Sequence, residues 1–151
     1  MIGITESGGT TLQLRRIIAA PREAVFDAWT EPELLRQWFG PPGGSAPRAD
    51  MDVRVGGEYR IEMRTDAGTC HVYGTYLEVE RPARLVYTFC WEGLPVAIAD
   101  TQVTVELHVR GAATEVVLTH QRQPNAAARE FHAWGWSHCL TGLVGLFDEL
   151  G

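Results

Sequence analysis

The C-terminal stretch from Asn125 to Leu150 carries apolar side chains at the spacing of one long helix. Five of them recur at spacings of four, three, four and three: Trp136, Leu140, Leu143, Phe147 and Leu150. At about 100° per residue they fall within a band roughly 80° wide, which predicts a helix with one apolar face. Asn125 is the predicted N-cap, because its side chain can accept a hydrogen bond from the first turn.

Upstream of this helix, apolar and polar residues alternate with the period of half-buried strands. Tyr59, Ile61 and Met63 alternate with charged residues, and the same period runs through Val103 and Val105. Short turns rich in glycine and proline separate the segments. We expect a first strand over 10–19 and about six antiparallel strands from Arg48 onward, the clearest over 58–64, 70–80, 84–92, 103–109 and 114–121.

Two short helices are predicted between the first strand and the remaining ones. Pro21 suits the first turn of a helix that runs to Trp29. Thr30 is the predicted N-cap of a second helix with Pro32 in its first turn. The sequence Gly-Pro-Pro-Gly-Gly over 40–44 predicts a loop after this helix.

The order of these elements predicts one α+β domain over residues 1–151, with residues 1–9 as a flexible N-terminus. A sheet and a long helix, each with one apolar face, bury those faces against each other. Large side chains such as Trp136 next to small residues such as Gly135 and Gly142 can leave a cavity at that junction.

Composition excludes several classes of partner. A formal net charge of -6 and no lysine argue against nucleic-acid binding, which needs a basic surface. No apolar run is long enough to cross a membrane, and residues 1–9 lack the pattern of a signal peptide. Three cysteines without CxxC spacing are typical of free thiols in a reducing compartment, so we expect a cytoplasmic protein.

The five histidines do not form a recognisable metal motif. His132 and His138 are six residues apart, so on a helix they point about 120° away from each other. His71 and His108 belong to different predicted strands and have no partner at ligand spacing. We therefore expect no metal and no cofactor.

Two interpretations are open for His132, His120 and Trp134, whereas the surroundings of Cys139 favour one. His132 shares a helix face with Trp136, and is either a polar group at the end of a cavity or a histidine with its tip in solvent. His120 either points inward or lies at a strand end near the surface. Cys139 borders the apolar stripe without a nearby base, which indicates a buried thiol rather than a nucleophile. Trp134 lies opposite the stripe, as a dimer contact or half-covered by the small helices.

Several segments, in order along the chain, resemble one family. They are APREAVFDAWT at 20–30, PELLRQWFGP at 32–41, RVGGEY at 54–59, RPARLVYT at 81–88, LTH at 118–120 and GW at 135–136. The chain resembles the branch of the START and Bet v 1 helix-grip superfamily that is named after the activator of the Hsp90 ATPase. The resemblance implies a curved antiparallel sheet of six to seven strands wrapped around the C-terminal helix, with an apolar cavity between them.

Three functions fit these observations. The leading hypothesis is binding of a small hydrophobic or amphipathic molecule in the cavity, with no catalytic residue. The alternatives are a protein-interaction module resembling a co-chaperone, and a small cavity enzyme of the cyclase or hydrolase kind. The expected ligand contacts are Tyr59, Phe89, Trp91, His120, His132, Trp136, Cys139 and Leu143.

Overall fold

The fold is a curved antiparallel sheet packed against one long helix. The computed structural model describes residues 3–6, 10–41, 43–94 and 98–150, with the backbone alone described for 3–6 and 149–150. The strands are β1 (Gly3–Glu6), β2 (Leu12–Ile18), β3 (Ser45–Met51), β4 (Glu58–Thr65), β5 (Gly68–Glu80), β6 (Arg84–Glu92), β7 (Thr101–Arg110) and β8 (Ala113–Gln121). The helices are α1 (Arg22–Thr30), α2 (Pro32–Trp38) and α3 (Ala126–Leu150).

The sheet order is β1-β2-β8-β7-β6-β5-β4-β3, and every neighbouring pair is antiparallel. Consecutive strands from β3 to β8 pair with each other, as short turns dictate. β2 pairs with β8, so the N-terminal hairpin of β1 and β2 joins the sheet at its last strand. The helix-grip architecture expected from the sequence is confirmed. The described sheet has eight strands rather than six to seven, because Gly3–Glu6 pairs with β2.

α1 ends and α2 begins on either side of Glu31, the residue before Pro32. Glu31 precedes Pro32 and is extended, with φ -104° and ψ 121°, because a residue before proline is pushed out of the helical region. Glu31 is therefore the N-cap of α2, and the prediction of Thr30 as N-cap was wrong. The Thr30 hydroxyl instead donates to the Phe26 carbonyl at the end of α1.

The apolar face of α3 lies in the core, as its periodicity predicts. Trp136, Leu140 and Leu143 are buried, and Phe147 is half-buried. The side chain of Leu150 lies outside the described residues. The N-cap prediction is confirmed, because the Ala128 amide donates to the Asn125 side-chain oxygen at 2.9 Å. The helix thus starts at a defined point beside the end of β8.

Candidate functional site

A cavity of about 440 Å³ lies between the N-terminal half of α3 and the sheet. Its walls come from α3, from the turn between β4 and β5, from the end of β6 and from the segment after α2. Six aromatic side chains line it: Phe39, Phe89, Trp91, Phe131, Trp134 and Trp136. A volume of this size lies within the range of small-molecule sites in proteins.

Two rows of residues on α3 form one wall. Phe131, Gly135 and Cys139 follow each other at intervals of four, and so project from one side of the helix. His132 and Trp136 form the adjacent row and are almost completely buried. Gly135 and Cys139 are small, so the wall is hollow between the large aromatic side chains.

The opposite wall is built from small residues at the turn between β4 and β5. Ala67, Gly68 and Thr69 line the cavity there, and Gly68 has φ 129°, which favours glycine. Met63 and Cys70 pair across the two strands and both line the cavity further in.

Two aromatic residues of α3 mark the mouth of the cavity. Trp134 is 59% exposed and Phe131 is 37% exposed, although both line the cavity. The two rings are one turn apart on α3 and form a small continuous apolar surface next to the cavity. The cavity therefore opens to solvent beside them.

His132 holds one wall of the cavity in place through both of its ring nitrogens. The Trp91 indole donates to Nε2 of His132 at 2.9 Å. Nε2 is therefore an acceptor, so the proton lies on Nδ1 and is donated to the Gln123 side-chain oxygen at 2.6 Å. Gln123 in turn donates to the His120 carbonyl.

His120 supports Trp136 in the same way, deeper in the core. The Trp136 indole donates to Nδ1 of His120 at 3.1 Å, so Nε2 carries the proton and donates to the Thr101 hydroxyl at 2.8 Å. The Thr101 hydroxyl in turn donates to the Phe89 carbonyl. His120 is fully buried, and the centroids of the two imidazole rings are 4.2 Å apart.

Burial keeps both imidazoles neutral. It lowers the pKa of His132 to about 4, against a smaller opposing effect of the backbone hydrogen bond at Ala128. It lowers the pKa of His120 well below the usual value, and the neighbouring His132 adds to this. Each imidazole thus accepts one indole N–H, and neither offers a free lone pair to the cavity.

The thiols at the cavity are in their protonated form. Burial raises the pKa of Cys139 to about 11, and its thiol contacts the Gly40 carbonyl at 3.4 Å. Burial also raises the pKa of Cys70. Both cysteines are free, as is Cys90. A thiolate, not a thiol, is the reactive form, so these side chains act as small apolar groups.

The cavity carries no formal charge within the described residues of the chain, because no Asp, Glu, Lys or Arg among them lines it. Every buried side-chain nitrogen and oxygen of the described residues has a hydrogen-bond partner. The walls therefore offer apolar surface and few unsatisfied polar groups.

A protein-family model decides where this chain belongs. The model described as "Activator of Hsp90 ATPase homolog 1-like protein" matches residues 19–148. The chain belongs to this family. No curated protein matches the sequence.

Solved structures of similar proteins share the architecture of this chain. A Nitrosomonas europaea protein is 28% identical, with a TM-score of 0.77 over 93% of this chain and 95% of that one. A Chromobacterium violaceum protein is 26% identical, with a TM-score of 0.80 over 92% and 97%. A Rhodobacter sphaeroides protein has a TM-score of 0.83 over the whole of both chains at 24% identity, and so shows the fold alone.

The structure of this family member brings five of the eight expected contact residues to the cavity wall: Phe89, Trp91, His132, Trp136 and Cys139. His120 lies behind that wall and holds Trp136. Tyr59 lies at a separate cavity of about 20 Å³, and Leu143 is packed in the core. Contact of these residues with a ligand stays a prediction.

Sequence reasoning missed the turn between β4 and β5, together with Phe39 and Phe131. It also missed Gln123 and Thr101, which complete the histidine network. The aromatic residues at 39 and 131 were visible as apolar positions next to the predicted loop and helix face. Nothing in the sequence pairs Gln123 with His132, because both side chains acquire their partner only when β8 meets α3.

The described residues contain neither a membrane-length apolar helix nor a group of three or more His, Cys, Asp and Glu side chains placed to hold a metal.

Proposed function

We propose that this protein binds a small, uncharged, hydrophobic or amphipathic molecule in the cavity between α3 and the sheet. The observation that carries the proposal is a cavity of about 440 Å³ lined by six aromatic side chains and by no charged side chain of the described residues. An ionic ligand would lose its hydration there without gaining a partner charge.

Hydrophobic burial supplies enough free energy for such a complex. An aromatic molecule that loses about 200 Å² of apolar surface to the walls gains on the order of 5 kcal/mol from transfer. Ring contacts with the aromatic walls add to this. Association and immobilisation oppose it, so we expect dissociation constants of about 0.1–1 mM.

The state of the ionisable groups favours binding over catalysis. A general base needs a free lone pair within reach of the substrate, and both imidazole acceptors are occupied by indole N–H groups. A cysteine nucleophile needs a lowered pKa, and the pKa of Cys139 is raised. The small-enzyme alternative therefore has no activated group among these candidates.

The size of the cavity also favours binding over a protein-interaction role. An interaction module of the co-chaperone kind predicts an exposed apolar patch with a closed or very small cavity. Trp134 and Phe131 do form an exposed apolar surface, but they surround the mouth of a large cavity. Exposed rings at a mouth fit entry of a ligand, and the homodimer contact through Trp134 stays an alternative prediction.

Two fluorescent probes with one skeleton test the proposal. N-phenyl-1-naphthylamine is uncharged, and 8-anilino-1-naphthalenesulfonate adds a sulfonate to it. We expect the uncharged probe to bind at one site with a Kd below about 1 mM, and the sulfonate to bind at least about fivefold more weakly. Titrations that show no saturable binding of the uncharged probe would contradict the proposal.

The variant Trp136→Ala connects the binding to this cavity. It removes the largest buried ring of the α3 wall, so we expect probe affinity to fall about tenfold or more. Circular dichroism shows whether the variant keeps its fold. A folded Trp136→Ala protein with unchanged affinity would place the probe elsewhere on the molecule.

A further inference from the structure

We infer that residue 135 determines which ligands fit, because the bare backbone of α3 at Gly135 belongs to the ligand-contact surface. The inference rests on the proposed function and deepens it. It assigns the ligand an uncharged apolar body that lies against the helix at Gly135, between Phe131 and Cys139.

The space beside Gly135 is empty in the protein itself. A Cβ built at this position meets no heavy atom within 4 Å, and Gly135 lines the cavity. Its backbone lies inside a regular helix, where glycine is less favourable than alanine. No steric reason within the described residues therefore requires a glycine here.

The three glycines of α3 differ in what surrounds them. A Cβ at Gly142 would lie 3.2 Å from the Trp38 carbonyl oxygen, so close packing against α2 accounts for that glycine. A Cβ at Gly145 meets nothing within 4 Å, as at Gly135, but Gly145 does not line the cavity. Gly135 thus combines open space with the cavity wall, and Gly145 is its matched control.

The neighbours of Gly135 define what a side chain there would do. Phe131 and Cys139 lie one turn away on either side and both line the cavity. A side chain at 135 would project between them into the cavity. An alanine methyl group would reduce the space available to a ligand without meeting any protein atom within 4 Å.

Four single variants test the inference: Gly135→Ala, Gly135→Leu, Gly145→Ala and Gly145→Leu. Each is titrated with N-phenyl-1-naphthylamine and with naphthalene, a smaller uncharged molecule, in displacement of the bound probe. We expect Gly135→Leu to weaken the larger probe about tenfold or more and naphthalene by a smaller factor. Gly145→Leu is expected to change neither affinity by more than about twofold.

Thermal unfolding provides an independent readout. Both alanine variants are expected to raise Tm, because alanine stabilises a helix interior where it fits without strain. A rise in Tm together with weaker probe binding in Gly135→Ala would show that the glycine serves the ligand rather than the fold. If Gly135→Leu does not fold, the Tm and probe affinity of Gly135→Ala, compared with those of Gly145→Ala, test the inference.

The outcomes separate the two proposals. If the wild-type protein binds neither probe, the proposed function fails. If the wild-type protein binds, but the substitutions at 135 and at 145 have equal effects on affinity, the proposed function stands and the role of residue 135 is overturned.

Discussion

The core has two ends that contain similar side chains but opposite amounts of space: a closed end between the two short helices and the sheet, and an open end between α3 and the sheet. At the closed end, Tyr59, Tyr76 and Tyr87 pack with ring centroids 5.4–6.0 Å apart and leave a cavity of about 20 Å³. At the open end, six aromatic residues surround about 440 Å³. The aromatic content is similar, so it does not explain the difference.

Small residues in the walls of the open end explain the difference in cavity volume. The walls of the open end alternate aromatic rings with Gly135, Cys139, Gly68 and Ala67, whereas large side chains face each other at the closed end. Both ends satisfy their buried polar atoms, for example the Trp29 indole that donates to the Tyr87 hydroxyl at 3.1 Å. The comparison shows that this cavity exists because several wall positions carry small side chains or none, and not because the walls are unusually apolar.

The largest expected effect is on stability. Leu140 is fully buried in the packed core, and we expect Leu140→Ala to lower the free energy of unfolding by about 3–5 kcal/mol. Met63 is also buried but lines the cavity, so one side of it already lacks partner atoms. We expect Met63→Ala to cost about 2 kcal/mol, at the low end for such deletions.

Urea denaturation measures both values, and probe titration sharpens the contrast. Met63→Ala should alter probe affinity, whereas Leu140→Ala should leave the affinity of the folded fraction unchanged. Equal costs for the two variants would mean that the surroundings of Met63 are packed as tightly in solution as those of Leu140.

The histidines of the open end should lower stability at acid pH, and the tyrosines of the closed end should lower it at alkaline pH. The pKa of His132 falls from about 6.5 in the unfolded chain to about 4 in the fold. The unfolded state therefore binds more protons in this window, and stability present above pH 6.5 is lost as pH falls toward 4. The loss from His132 is on the order of 3 kcal/mol, and His120 adds to it.

At the closed end, burial raises the pKa of Tyr59, Tyr76 and Tyr87. The unfolded chain releases these protons near pH 10 and the fold retains them, so stability should fall above about pH 10. Urea midpoints at pH 4.5, 7 and 10.5 measure both changes. His132→Asn should flatten the acid change, and the exposed His108→Asn is its control. An unaltered acid change in His132→Asn would contradict the assignment.

The smallest expected effect concerns the mouth of the cavity. Trp134 is largely exposed, so we expect Trp134→Ala to change stability by no more than about 0.5 kcal/mol. It should weaken the uncharged probe a few-fold, because the ring covers bound ligand. Phe131→Ala is the companion variant. Unchanged probe affinity in both variants, together with loss of a dimer in light scattering, would favour the interaction surface instead.

The fold was largely predictable from local pattern. The alternation through Tyr59, Ile61 and Met63 and the period of α3 each state which face is buried, and those faces leave one way to pack. Gly3–Glu6 escaped prediction because its pairing uses backbone hydrogen bonds to β2, which no side-chain period reveals.

The candidate site was only partly predictable, for a physical reason. Phe89, Trp91 and Trp136 were expected as apolar residues on faces turned inward. An inward face either packs against other side chains or borders a cavity, and the size of the side chains on the facing element decides which. The different surroundings of Tyr59 and Trp136 show this. The burial of His132 likewise depends on Gln123 and Trp91, which come from other elements.

The pairing of β2 with β8 sets an order for the nascent chain on the ribosome. Leu12 pairs with His120, so the first long strand has no partner on its β8 side until more than a hundred further residues have been made. At bacterial or eukaryotic elongation rates this wait lasts about 5 to 20 s. α3 emerges later still, so the walls of the cavity meet only after α3 has been made. Until then the inner face of the sheet is uncovered, and a ligand can stabilise the cavity only once α3 is in place.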